Sequence, residues 1–86
     1  MYTVIILKTP EKYLKKLSGK IAKSIAAKID LLKTNPYPPG YAAIIGVENT
    51  YRLRAGDYRI IYTVYKEEVI IEVIDIGSRG GIYSSY

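Results

Sequence analysis

The sequence predicts an α+β fold: an N-terminal strand, a helical hairpin and then a three-stranded antiparallel meander, with the helices packed on one face of the sheet. Three observations carry that reading. The chain opens on a β-branched run, its second quarter holds isoleucines spaced for one side of a helix, and its residues alternate apolar and polar after position 50. With 86 residues, 49% of them apolar, it can bury one modest core, so residues 1–86 are read as a single domain.

Met1 to Lys8 fits a strand because branched side chains suit a pleated, half-buried surface. Thr9-Pro10-Glu11 then reads as a helix start, with a capping hydroxyl, a proline at the first helical position and an acid near the positive end of the dipole. Tyr13, Leu14 and Leu17 share one side of this helix, which ends near Ser18-Gly19. A second helix begins at about Lys20. There Ile21, Ile25, Ile29 and Leu32 form an apolar stripe flanked by Ala22 and Ala26, while Lys20, Lys23 and Ala27 face away. Thr34 to Tyr41 contains three prolines and a glycine, so it is a connecting loop.

From Tyr51 onward Tyr51, Leu53 and Ala55 oppose Arg52 and Arg54, and Tyr58, Ile60, Tyr62 and Val64 oppose Arg59, Ile61 and Thr63. Ala55-Gly56-Asp57 and Lys66-Glu67-Glu68 are the expected hairpin turns. Glu68 to Ile76, apolar on both faces, is the third meander strand and is expected to be central in the sheet.

The charge is unevenly distributed. Eight of the nine lysines precede residue 34, whereas all four arginines, Arg52, Arg54, Arg59 and Arg79, lie in the last 35 residues. Residues 1–49 carry a net +5 and residues 50–86 a net zero, so any cluster of arginines must be made by folding. The basic balance favours a polyanionic partner. The helix lysines are read first as a solvated face that can steer encounter.

Cysteine and histidine are both absent, which removes disulfides, thiolate chemistry, the commonest metal ligand and the usual general base near neutral pH. No metal site and no cofactor are expected. No stretch approaches the roughly 20 apolar residues of a membrane span, and the expectation is a cytoplasmic protein.

Arg52 and Arg54, two apart on a strand, must project from the same face, and the hairpin at Gly56-Asp57 brings Arg59 opposite them. A planar guanidinium fork matches phosphate. The plainer account makes these exposed strand arginines paired with Glu72, Asp75 or Asp57. Beyond the last strand, three glycines within residues 77–81 deliver Arg79 and Tyr83 to the end of the sheet, where a frayed terminus would need neither.

Tyr51 to Val64, YRLRAGDYRIIYTV, followed by VIDIGSRGGIY at Val73 to Tyr83, resembles the paired hallmark of RelE toxins in the RelE/ParE superfamily of toxin–antitoxin systems. The resemblance spans essentially the whole chain. It implies a toxin that enters the ribosomal A site, cleaves messenger RNA and inhibits translation, and is held inactive by a RelB-like antitoxin. In those terms the chain is a metal-independent endoribonuclease, or mRNA interferase. On residues matched by motif, Arg59 in GDYR and Arg79 in IGSR correspond to arginines on the scissile phosphate. Tyr83 corresponds to a tyrosine that stacks on or polarises the nucleotide. Where well-known members carry lysines on the second strand, this chain has Arg52 and Thr50.

The implied reaction is attack by a ribose 2′-hydroxyl on its own phosphate. Arg59, with Arg79 or Arg54, would stabilise the added negative charge, while Arg52 and Tyr86 would bind substrate. The proton acceptor is open: tyrosine with an ordinary pKa near 10 is about one part in a thousand ionised at pH 7, and guanidinium keeps its proton. Two other readings stand beside this one. A ParE-like toxin would poison DNA gyrase and cleave nothing, and a non-catalytic RNA-binding module would use its tyrosines as stacking platforms.

Overall fold

The computed structural model describes residues 1–78. Their order is β1 (Thr3–Ile6), α1 (Lys8–Lys16), α2 (Gly19–Leu31), β2 (Tyr41–Ala43), β3 (Thr50–Ala55), β4 (Tyr58–Tyr65) and β5 (Ile70–Ser78). The five strands form one mixed sheet in the order β1-β5-β4-β3-β2. β1 is parallel to β5, with Thr3 opposite Ile70, and the remaining pairs are antiparallel. The expected α+β architecture is therefore present, enlarged by the short edge strand β2, which the proline-rich loop leads into.

α1 starts earlier than expected. Leu7, in extended conformation, is its N-cap and donates no side-chain cap, so Thr9 is the second helical residue and not the capping hydroxyl. Pro10 is tolerated because the first four helical N–H groups have no intrahelical partner to lose, and its ring is buried. Ser18 caps α2, its hydroxyl accepting from the Ile21 N–H at 3.4 Å.

The predicted stripe of α2 is the core-facing one. Ile25, Ile29 and Leu32 are buried against Leu53, Ile60, Tyr62, Val64, Ile71 and Val73, all from one face of the sheet. Each such side chain contributes roughly 1.5–3 kcal/mol relative to exposure. At the centre of this layer Tyr62 is fully buried, and its hydroxyl donates to the Pro36 carbonyl at 2.7 Å, tying the loop after α2 to the sheet.

Two turns set the register of the meander. Ala55 pairs with Tyr58 across the two-residue turn Gly56-Asp57, and Gly56 has φ 61°, the positive value that a type II′ hairpin needs at its first central residue. The second hairpin closes over Lys66 to Val69, where Val69 adopts φ 57°, costly for a β-branched residue. Its carbonyl accepts from the Thr3 N–H at 3.0 Å and so anchors the start of β1. β5 is interior, as its two apolar faces demand, although the middle strand of the sheet is β4.

Candidate functional site

The helix-free face of the sheet carries the arginines. In the β3–β4 register Arg54 lies directly opposite Arg59, Arg52 opposite Ile61 and Thr50 opposite Thr63. Alternation puts all of these on the face away from α2. Directly opposed strand residues have Cβ atoms about 4.5–5.5 Å apart, and like charges there repel. The expected gathering of Arg52, Arg54 and Arg59 is therefore a property of the fold.

The three are not equivalent. Arg54 is exposed and Arg52 half-buried, but Arg59 is only 4% exposed. For Arg59 that corrects the plainer account of an exposed strand arginine, whereas Arg54 is exposed as that account has it. The Arg59 guanidinium donates through Nη1 to the carbonyls of Tyr58 at 3.2 Å and Gly56 at 3.4 Å, so the hairpin turn fixes its direction.

Beside the arginines the open face is walled by apolar and hydroxyl groups. Ile61, fully buried, packs with Ile44 from the loop after β2 and with Ile74 of β5. Ile74 is the extra residue of a bulge: Ile61 pairs with Asp75 while the next residue, Tyr62, pairs with Val73. Thr50 and Thr63 share a hydrogen bond at 3.0 Å between their Oγ1 atoms. In the sequence only its place among apolar residues in a loop signals that Ile44 packs here.

Arg79, Tyr83 and Tyr86 lie outside the described residues. Among the described tyrosines, every resolved shift disfavours the phenolate. Burial raises Tyr51 and Tyr62, and a hydrogen bond to the Glu72 carboxylate raises Tyr65. No shifted tyrosine among them is a base near neutral pH. Tyr37, Tyr41, Tyr51 and Tyr62 pack ring on ring at 5.2 to 5.9 Å between centroids on the helix side of the sheet, so these four are engaged with one another. Among the described residues no three carboxylates gather as a metal site.

Residues 4–83 match the family model described as ParE toxin of type II toxin–antitoxin system, parDE. The chain belongs to this toxin family. Within it, the similar proteins carry the RelE name. A toxin of Methanocaldococcus jannaschii named RelE1 is 33% identical over 87 residues, covering 98% of this chain and 97% of its own. A RelE-like toxin protein of Escherichia coli is 35% identical over 66 residues, 74% of this chain and 68% of its own.

The archaeal RelE–RelB complex from Pyrococcus horikoshii superposes with a TM-score of 0.82 at 29% identity, over 93% of this chain and 97% of that one. The RelB–RelE complex from Methanococcus jannaschii gives 0.76 at 28%, over 95% and 98%. The chain is a RelE-like toxin of a type II toxin–antitoxin system, as its motifs imply. No helix among the described residues is long and apolar enough to cross a membrane.

Proposed function

We propose that this toxin is a ribosome-dependent endoribonuclease that cuts messenger RNA in the A site without a metal ion. The observation that carries the reading is the cross-strand pair of Arg54 and Arg59 on the helix-free face, with Arg59 buried and aimed by its own turn. Like charges opposed across two strands favour an anion beside them, and phosphate offers the matching acceptor geometry.

In the reaction the 2′-oxygen attacks phosphorus, giving up its proton, and the bond from phosphorus to the 5′-oxygen breaks. The products are a 2′,3′-cyclic phosphate and a 5′-hydroxyl that has taken up a proton. Arg59, with Arg54 and Arg79, stabilises the charge that develops on the phosphoryl oxygens, and Arg52 and Tyr86 hold the strand. Tyr83 stacks on or polarises the nucleotide. With no shifted tyrosine available as a base among the described residues, catalysis rests on charge stabilisation and on in-line geometry imposed by the ribosome. Free RNA is then a poor substrate.

A RelB-like antitoxin is the proposed inhibitor, by analogy with the RelE–RelB complexes. The test is primer extension on a ribosome-programmed messenger, with Arg59→Ala, Arg79→Ala and Tyr83→Phe beside the wild type. Loss of cutting in the arginine variants supports the site, whereas undiminished cutting by all three removes it. The ParE name of the matching family keeps gyrase as the rival target. A DNA-damage response on expression, with messengers intact, decides for that rival.

A further inference from the structure

At the end of the sheet that holds Arg59, a second basic feature lies outside the arginine cluster. β1 stops opposite Val73, and α1 flanks the remainder of β5. Between them is a cleft of about 230 Å³ lined by Thr9, Lys12, Tyr13, Lys16, Asp75 and Ile76. Lys12 and Lys16 are one helical turn apart and therefore neighbours on the same helix side, a like-charge spacing that destabilises a helix unless something negative lies between.

The chain does not supply that negative group. Neither lysine has an acidic group within 4.0 Å among the described residues. The one carboxylate in the cleft, Asp75, is engaged locally, its Oδ1 accepting from the Ile76 N–H at 2.9 Å. Two ammonium groups, a hydroxyl and a phenol thus face one carboxylate, and the cleft keeps a positive balance.

Its position links it to the arginines. Tyr13 packs edge-on against Tyr58 at 6.4 Å, and the carbonyl of Tyr58 is an acceptor for Arg59. Arg59 pairs with Gly77, two residues along β5 from Asp75, or roughly 7 Å at the rise of a strand. The cleft and the strand position of Arg59 thus lie at the same end of the sheet.

We propose that the cleft between α1 and β5 is a phosphate subsite for the RNA strand, in which Lys12 and Lys16 grip a backbone phosphate neighbouring the one held by Arg59. The proposal rests on the nuclease reading for its ligand but concerns binding, so the two are separable by experiment. Thr9 supplies a hydroxyl donor, and Tyr13 forms the wall shared with Tyr58.

The probe is a short single-stranded RNA made uncleavable by 2′-O-methylation, titrated by fluorescence anisotropy across a salt series. Neutralising one phosphate contributes about 0.7 to the slope of log affinity against log salt for single strands. The Lys12→Ala/Lys16→Ala double variant is expected to lose about that much slope, with an unchanged melting temperature. Lys12→Arg/Lys16→Arg is expected to retain it.

An unchanged slope overturns the subsite. So does an equal loss in Lys20→Ala/Lys23→Ala, which would show diffuse charge on the helices. Loss of poly-glutamate binding with RNA binding intact also overturns it, assigning the cleft to an acidic protein partner. Ribosome-programmed cleavage is read in parallel. Slope lost in the double variant while the wild type cuts nothing keeps the subsite and removes the nuclease reading, whereas normal cutting by the wild type with no slope lost in the variant removes the subsite alone.

Discussion

The two faces of β3 and β4 bury side chains by different means. On the helix side Leu53, Ile60, Tyr62 and Val64 are covered by α2 and form one continuous apolar layer. On the other side Thr50 and Arg59 are 2% and 4% exposed and Ile61 is wholly buried, with a turn and the loop carrying Ile44 around them. The first face supplies stability by removing apolar area from water. The second holds a charge in place, which does little for folding but is what recognition of an anion needs.

If that division holds, substitutions on the two faces separate into stability effects and activity effects. Ile60→Ala, in the middle of the helix-side layer, is expected to destabilise by about 2–5 kcal/mol, a large part of the stability of so small a domain. Urea unfolding measures it, and a cost well under 1 kcal/mol would mean that the layer is loosely packed. Arg59→Ala is expected to lower ribosome-programmed cleavage by about a hundredfold or more while shifting the unfolding midpoint much less than Ile60→Ala. A larger loss of stability than of activity would reverse the roles of the faces.

Tyr62→Phe is a finer probe of the helix side. It removes the hydrogen bond to Pro36 and is expected to cost about 0.5–1.5 kcal/mol. Burial raises the Tyr62 pKa above its ordinary value of 10.0. The unfolded chain therefore releases this proton first, and stability due to Tyr62 is complete below pH 10.0 and lost as the pH climbs towards the folded value. Urea melts at rising alkaline pH should show a shallower decline in the Phe variant. The smallest expected effect is at the Val69 turn. Val69→Asn relieves a strained positive φ and should stabilise by roughly 0.5–1 kcal/mol, with cleavage unaltered.

How much could be read beforehand depended on the range of the signal. The stripe of α2, the Ser18-Gly19 break between the helices and the Gly56-Asp57 hairpin are written in neighbouring residues, and all three are found. β2 has only three residues and no alternation, so its pairing with β3 was invisible. The start of α1 was misplaced because Thr9-Pro10 has the chemistry of a cap, whereas Leu7 continues directly from β1 and pairs its N–H with the Val73 carbonyl at 3.1 Å. For the site, the shared face of Arg52 and Arg54 follows from a spacing of two. The burial of Arg59 does not, since burial is set by what the fold packs over a side chain.

The sequence by itself determined the elements, their apolar faces and the placing of three arginines on one side of a hairpin, because side-chain periodicity and turn chemistry act over a few residues. Tertiary structure alone decided that β1 runs parallel to β5, that Arg59 is buried while Arg54 is not, and that Lys12 and Lys16 border a cleft with Asp75 and Ile76 of β5. Those outcomes depend on contacts between residues far apart along the chain, as Thr3 and Ile70 are, and their burial is set by packing and leaves no local pattern.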